Sequence, residues 1–278
     1  MRENINISND IKFGCEIEFN SPYNIKEINK QKNKINSEFK IEYDSCISNI
    51  KEAISPILTV EKINELKQCL ELINMYKGYI KGNEGAHIHF DSSIVSKENF
   101  STMLKMWYLS EPVIYEFSKC DCDKLRKDYH TYAHELGNTL KSLIKCYDNR
   151  AIGIGYFRTF HKNNGLNLYN YITNNCIKNT LEVRTPNGTL NYEIWLNNIE
   201  FFASLFMYCN NIENKELIEY LFKKDEFLNS DELSNMIFNN DDSKYYFNKQ
   251  LNGEYGKERK WIYIKIWNFL FLCLYIHY

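Results

Sequence analysis

The chain has 278 residues, of which 44% are apolar and 15% aromatic, and its formal net charge is −2. At roughly 150 residues per domain, this suits one large domain with its own core, or one domain with an extension. The near-neutral charge argues against a broadly electrostatic nucleic-acid binder, which carries a basic excess.

In chain order, a strand is expected over residues 11–19, after a polar lead. Residues 24–38, rich in Lys and Asn, read as a loop or weak helix, and 39–43 and 49–54 as strands around a turn at Asp44-Ser45. Residues 60–76 have helical periodicity, with Ile63, Leu66, Leu70 and Ile73 on one stripe. Residues 78–85 break that pattern and lead into a strand over 86–90. Asp91-Ser92-Ser93 offers capping chemistry before a helix over 97–117, and a further helix is expected over 121–145. Residues 150–165 are glycine-bearing and irregular, then 166–169 and 180–185 return to strand. Pro186-Asn187-Gly188-Thr189 is a turn signal, followed by an aromatic-rich helix over 192–209.

Past Asn210 the chain is more charged, short-helical and free of motifs, which places a boundary near residue 211. The apolar run 261–278, interrupted by Lys265, Asn268 and His277, stands at the lower limit of the ~17–25 residues of a membrane span. A buried final helix or strand is the plainer reading than an anchor. The nine cysteines contain no CxxC pair. Without a signal-like amino terminus they read as reduced thiols of a cytoplasmic protein, mostly filling core.

Three segments share one pattern: Glu16-Ile17-Glu18, His87-Ile88-His89 and Glu182-Val183-Arg184. In a strand, residues i and i+2 project to one face, so each polar pair shares a face while the β-branched residue between them turns to the core. Same-face carboxylates repel and stay ionised together only beside a cation, so Glu16 and Glu18 suggest a divalent-metal site; the competing reading is a solvated strand face. The histidine pair after Gly85-Ala86 points to metal or phosphate binding, against a held imidazole pair. Glu182 and Arg184 are either a cross-strand ion pair or, at a tightly shaped strand end, a metal ligand beside a phosphate-directed guanidinium. Asp44 and Glu52 are candidates to complete a metal shell, and Arg150 and Arg158 bracket a Gly153-Ile154-Gly155 stretch that suits a phosphate-covering loop. His130 and His134 have helical spacing, but without a glutamate between them they fit a surface helix face rather than a zinc protease.

The order of these pieces resembles the amidoligase family, a branch of the carboxylate-amine ligases similar to glutamine synthetase and glutamate-cysteine ligase. The resembling stretches are Phe13-Gly-Cys-Glu-Ile-Glu-Phe19, Asp44-Ser-Cys-Ile47, Glu52-Ala-Ile-Ser-Pro-Ile-Leu58, Gly85-Ala-His-Ile-His-Phe90, Gly165-Leu-Asn-Leu168 and Leu181-Glu-Val-Arg-Thr-Pro-Asn-Gly-Thr-Leu190. The resemblance implies an α+β fold, a mainly antiparallel curved sheet whose polar concave face is the active face, backed by helices in the manner of glutamine synthetase. It implies a catalytic domain over 1–210, with 211–278 a helical extension packed on it.

By the same resemblance Glu16, Glu18, His87 and Glu182 would hold Mg2+ or Mn2+. His89, Arg184 and Arg158 would face ATP, and Arg184, His89 and Glu52 would serve the reaction. That reaction joins a carboxylate to an amine, with peptides or proteins among the substrates the family suggests, through an acyl phosphate. The family has a glycine after the aspartate where this chain has Ser45, which weakens a role for Asp44. A metal-dependent hydrolase and a non-catalytic nucleotide- or peptide-binding module also fit the residues, and the oligomeric state is left open.

Overall fold

A computed structural model describes residues 2, 4–34, 37–44, 50–137, 163–169, 179–212 and 215–257. Strands β1 (Phe13–Phe19), β2 (Lys40–Tyr43), β3 (Lys51–Ile54), β4 (Ala86–Asp91), β5 (Leu166–Asn167) and β6 (Thr180–Val183) form one sheet in the order β2-β3-β1-β4-β6-β5. Every pairing is antiparallel. The alternation in β1 explains its central place: Phe13, Cys15, Ile17 and Phe19 are buried together with Ile88 and Phe90 of β4 and Leu181 and Val183 of β6. This apolar face carries the core, and the opposite face is polar.

Helices cover the apolar face. The described helices are α1 (Ile25–Lys34), α2 (Asn64–Met75), α3 (Phe100–Phe117), the single turn α4 (Tyr129–Tyr132), α5 (Tyr192–Asn211), α6 (Lys215–Lys223), α7 (Ser230–Ile237) and α8 (Asp241–Leu251), of which α4 stands instead beside Arg184, whose Nε donates to Tyr132 O. Phe206 of α5 meets Phe90 of the sheet edge-on at 5.5 Å, and Trp107 of α3 stacks on Phe202 at 5.9 Å. Asn191 caps α5 by accepting from Glu193 N at 2.9 Å, which fixes where the chain leaves the sheet. The helices past residue 215 close over α3 and α5. Phe247 packs on Phe117 and Phe201, Leu228 N donates to Leu109 O, and Gln250 donates to Phe117 O and Asn198 Oδ1.

The expected α+β architecture, a mainly antiparallel sheet backed by helices, is what the chain forms. The main departure concerns residues 121–145, expected as one helix. Their described part, up to Gly137, is loop with only the short α4. The cause is tertiary. Cys120 leaves α3 with φ of 58°, and the carbonyls of Lys119 and Lys124 and the N–H of Arg126 are bound by the Asn187 side chain. Those backbone groups cannot then serve a helix ladder. His130 and His134 consequently share no helix face, since His134 bridges to Asn164. Residues 60–76 also divide, into a 3-10 turn Val60–Lys62 and α2. The weak-helix region holds a true helix, α1. Among the described residues no helix is long and apolar enough to cross a membrane. The apolar run 261–278 lies outside the described residues, as do Arg150, Gly153, Gly155 and Arg158.

Candidate active site

The register brings the three polar pairs side by side. Glu16 stands opposite His87, Glu18 opposite Glu52, Gly14 opposite His89, His89 opposite Glu182, and Glu182 opposite Asn167. Residues paired across a sheet point to the same side, so these side chains share the polar face. Glu18, His87 and Glu182 are its floor, only 3–5% exposed. Glu16, His89 and Arg184, 15–17% exposed, form the rim.

The floor is held by hydrogen bonds. Gly85 N donates to Glu18 Oε2 at 2.6 Å, and Asn167 Nδ2 donates to Glu182 Oε2 at 2.6 Å. His87 Nδ1 lies 3.1 Å from Glu16 Oε2 and 3.9 Å from Glu182 Oε1, and its Nε2 lies 3.6 Å from Glu18 Oε1. One imidazole thus stands among three carboxylates. His89 Nε2 lies 3.0 Å from Glu16 Oε1. Arg184 donates from Nη1 to Glu182 Oε1 at 2.6 Å and from Nε to Tyr132 O at 3.0 Å, so the expected ion pair exists and turns the guanidinium toward the floor.

Electrostatics separates two of the carboxylates. Burial pushes Glu16 up, but hydrogen bonds from His87 and His89, with the charge on both rings, outweigh it and hold the group far below the ordinary carboxylate range. Glu52 lacks such partners. Burial, reinforced by the charges of Glu16, Asp44, Glu18 and Glu42, pushes it up to about 8. An acid raised by burial and then by four neighbouring carboxylates marks a place where negative charge gathers.

The donor chemistry suits a divalent cation. Three overlapping sets, Glu16/Glu52/His87, Glu16/His89/Glu182 and Glu18/Asp44/Glu52, each bring three ligand atoms within 4.8 Å of one another. His87 Nε2 is buried and makes no hydrogen bond. Carboxylate oxygens with one or two imidazole nitrogens fit magnesium or manganese, and also zinc. Beside Glu16 and His89 opens a cleft of about 240 Å3, walled by Ile54, Ser55, Pro56 and Ile57 and bounded by Thr180.

The structure therefore brings together Glu16, Glu18, Glu52, His87, His89, Glu182 and Arg184, with Asp44 at the Glu52 end. Two polar residues of this neighbourhood escape a sequence reading. Asn167 had a signal, since it alternates with Leu166 and Leu168, both fully buried. Arg126 had none, because it lies in a charged stretch between Lys124 and Lys127. Its guanidinium is 3% exposed, donates from Nη2 to Arg184 O at 3.2 Å, and crosses the position where a side chain on Gly85 would begin.

A family model described as "Putative amidoligase enzyme" matches residues 23–206, well over half of the chain. The chain belongs to the amidoligase family. The matched span runs from just after β1 into α5 and so takes in β2, β3, β4, β5 and β6, with Glu52, His87, His89, Glu182 and Arg184. It places the chain among ligase-type enzymes that act on a carboxylate and an amine. Comparison with curated proteins finds no match.

Proposed function

We propose that this amidoligase is an ATP-dependent carboxylate-amine ligase, forming an amide through an acyl phosphate. The observation that carries the reading is the shared polar face, where three carboxylates, two imidazoles and a guanidinium from β1, β4 and β6 converge. A carboxylate is a poor electrophile because amine attack would have to expel oxide. Transfer of the γ-phosphoryl group of ATP to the acid makes phosphate the leaving group, and the amine then forms the amide.

Glu16, Glu18, His87 and Glu182 would hold Mg2+ or Mn2+, which when bound neutralises charge on the phosphates. Glu182 and Tyr132 O orient Arg184, whose fixed charge at the rim supports the phosphoryl group in transfer. His89, opposite Glu182 and beside the cleft, faces the nucleotide phosphates. Glu52, whose carboxyl burial and neighbouring carboxylates raise to about 8, would give up its proton more readily beside a bound cation. The cleft walled by Ile54, Pro56 and Ile57 is the place for an organic substrate, free or peptidic. The catalytic unit spans 1–210, with the helices α6, α7 and α8 as its support. The reaction belongs in the cytoplasm, which agrees with free cysteines at Cys15, Cys69, Cys120 and Cys209, all buried.

The test is incubation with ATP, Mg2+ and hydroxylamine across a panel of acids, scoring hydroxamate and phosphate. Both should form with the proper acid and vanish in Glu16→Ala and Glu182→Ala. Absence of ATP binding under every metal condition would overturn the reading. The Glu16/His89/Glu182 set also suits a zinc hydrolase. Tightly held zinc in the purified protein, with no nucleotide affinity, would favour that alternative.

A further inference from the structure

We propose that Arg126 is a second oxyanion-binding residue of this site, acting with Arg184 on the phosphoryl oxygens of the nucleotide. The inference rests on the ligase reading and adds a residue to it. Its starting point is where the guanidinium lies. A methyl group on Gly85 would run into Arg126 Nη1 and stand 2.9 Å from His87 Nε2. Arg126 therefore reaches over the backbone at Gly85, the residue whose N–H holds Glu18, and arrives on the His87 side of the sheet. Gly85 leaves that passage open because it has no side chain.

A deliberate scaffold puts it there. Asn187 of the turn after β6 pairs with Gly85 and accepts from Arg126 N at 2.7 Å, while donating to Lys119 O and Lys124 O. The loop carrying Arg126 is thus bound to the same turn that follows Arg184. Arg126 Nη2 donates to Arg184 O, so the two arginines are joined through the backbone of one of them.

The chain does not fully satisfy this guanidinium. Its Nε is buried and makes no hydrogen bond, standing 3.8 Å from Asp128 Oδ1, an atom that also makes none. The Asp128 carboxylate offsets part of the charge on this buried guanidinium, and an oxyanion bound at its Nη1 end, beside Gly85 and His87, would offset the rest. Burial lowers its pKa, and among the charges that oppose this the carboxylate of Glu18 is the largest, which puts Arg126 in electrostatic contact with the proposed metal floor. Arg184, a second positive charge, acts on it in the opposite sense. Two arginines joined through the Arg184 carbonyl, each with its guanidinium beside the carboxylate floor, suit a phosphoryl group, whose several oxygens can accept from more than one donor.

Electrostatics gives a test that a merely structural role would not pass. Arg126 repels a cation and attracts an anion, so neutralising it should affect the two in different ways. The probes are Mn2+ alone, followed by electron paramagnetic resonance, and inorganic tripolyphosphate added to the Mn2+-saturated protein, followed by calorimetry. Wild type should bind both. Arg126→Gln should bind Mn2+ at least as tightly but tripolyphosphate about tenfold or more weakly, the loss of one charge-assisted contact. Arg126→Lys, which keeps the charge without the fork, should fall between.

Equal tripolyphosphate affinity in Arg126→Gln overturns the assignment and leaves the ligase reading standing. Parallel loss of Mn2+ and tripolyphosphate overturns it in favour of a structural role. A wild type that binds no tripolyphosphate overturns it, and ATP binding by the same protein then decides the ligase reading separately. If Arg126→Gln does not fold, Arg126→Lys decides: a several-fold loss of tripolyphosphate with Mn2+ binding kept supports the proposal, and unchanged affinity sinks it.

Discussion

Glu16 and Glu52 sit on neighbouring strands of one face, yet their carboxyl groups titrate in opposite directions. Two imidazoles hold Glu16 ionised, whereas Glu52 meets burial and four other carboxylates. The consequence for stability follows from proton linkage. Glu52 titrates near its ordinary 4.5 in the unfolded chain and at about 8 in the folded one, so between those values the native state binds more protons. Its contribution therefore turns against the fold as pH rises from 4.5 to 8, and is constant above. Glu16 has the reverse sign: its contribution is complete above the ordinary value of 4.5 and is lost only in strong acid. In metal-free buffer Glu52→Gln, a neutral isostere, should melt increasingly above wild type between pH 4.5 and 8, reaching a few degrees. Thermal melts in EDTA across that range check this, and parallel profiles for the two proteins would refute it. Excess Mg2+ should narrow the gap, because the cation supplies what protonation supplied.

At the scale of elements, the turn after β6 organises the site more than the sequence suggests. Pro186-Asn187-Gly188-Thr189 is legible as a turn from composition alone. What it does is not legible, because its partners are the loop over 118–126 and the residues before β4, distant in sequence. Asn187 N donates to Ser118 O, Gly188 N donates to Glu84 O, and Ala86 N donates to Pro186 O. Asn187→Ala would leave the Arg126 N–H and two carbonyls without their partner, in a position only 3% exposed. We expect a loss of about 2–4 kcal/mol in urea denaturation, with Asn187→Asp, which keeps the acceptor alone, in between. A loss below about 1 kcal/mol would mean that water replaces these bonds and the clamp is not what holds the loop. The same bonds explain why the described residues 121–128 form no helix. Local periodicity there favours a helix, and tertiary hydrogen bonds to one asparagine take the backbone groups it needs. The i, i+2 pairs were legible for the opposite reason: strand alternation is local, so Ile17, Ile88 and Val183 went to the core as their spacing required. The order of the strands is not local, and Glu18 opposite Glu52 could be seen only in the register.

Among the described residues, α3 and α5 pack on the apolar side of a single sheet, and the other side carries the charge. Phe90, Phe206 and Trp107 continue the core from sheet to helices, and Phe247 extends it to the helices past residue 215. On the opposite side Glu16, Glu18, Glu52 and Glu182 share one face, where among the described residues His87, His89 and Arg184 stand against them. Such an arrangement is stabilised by whatever cation binds it, because the unfolded chain does not preserve the donor sets. Binding adds RT ln(1 + [L]/Kd), about 2.7 kcal/mol at a hundredfold excess over Kd. For a chain of this size that raises Tm by about 5–10 °C. Mg2+ or Mn2+ should therefore shift the melt upward in a concentration-dependent way, with EDTA restoring the starting value. Glu16→Ala and Glu182→Ala should abolish the shift while remaining folded, since each removes a rim or floor donor and no part of the apolar face. A metal-dependent shift that survives both substitutions would place the cation elsewhere in the molecule, and the polar face would lose its claim to be a metal site.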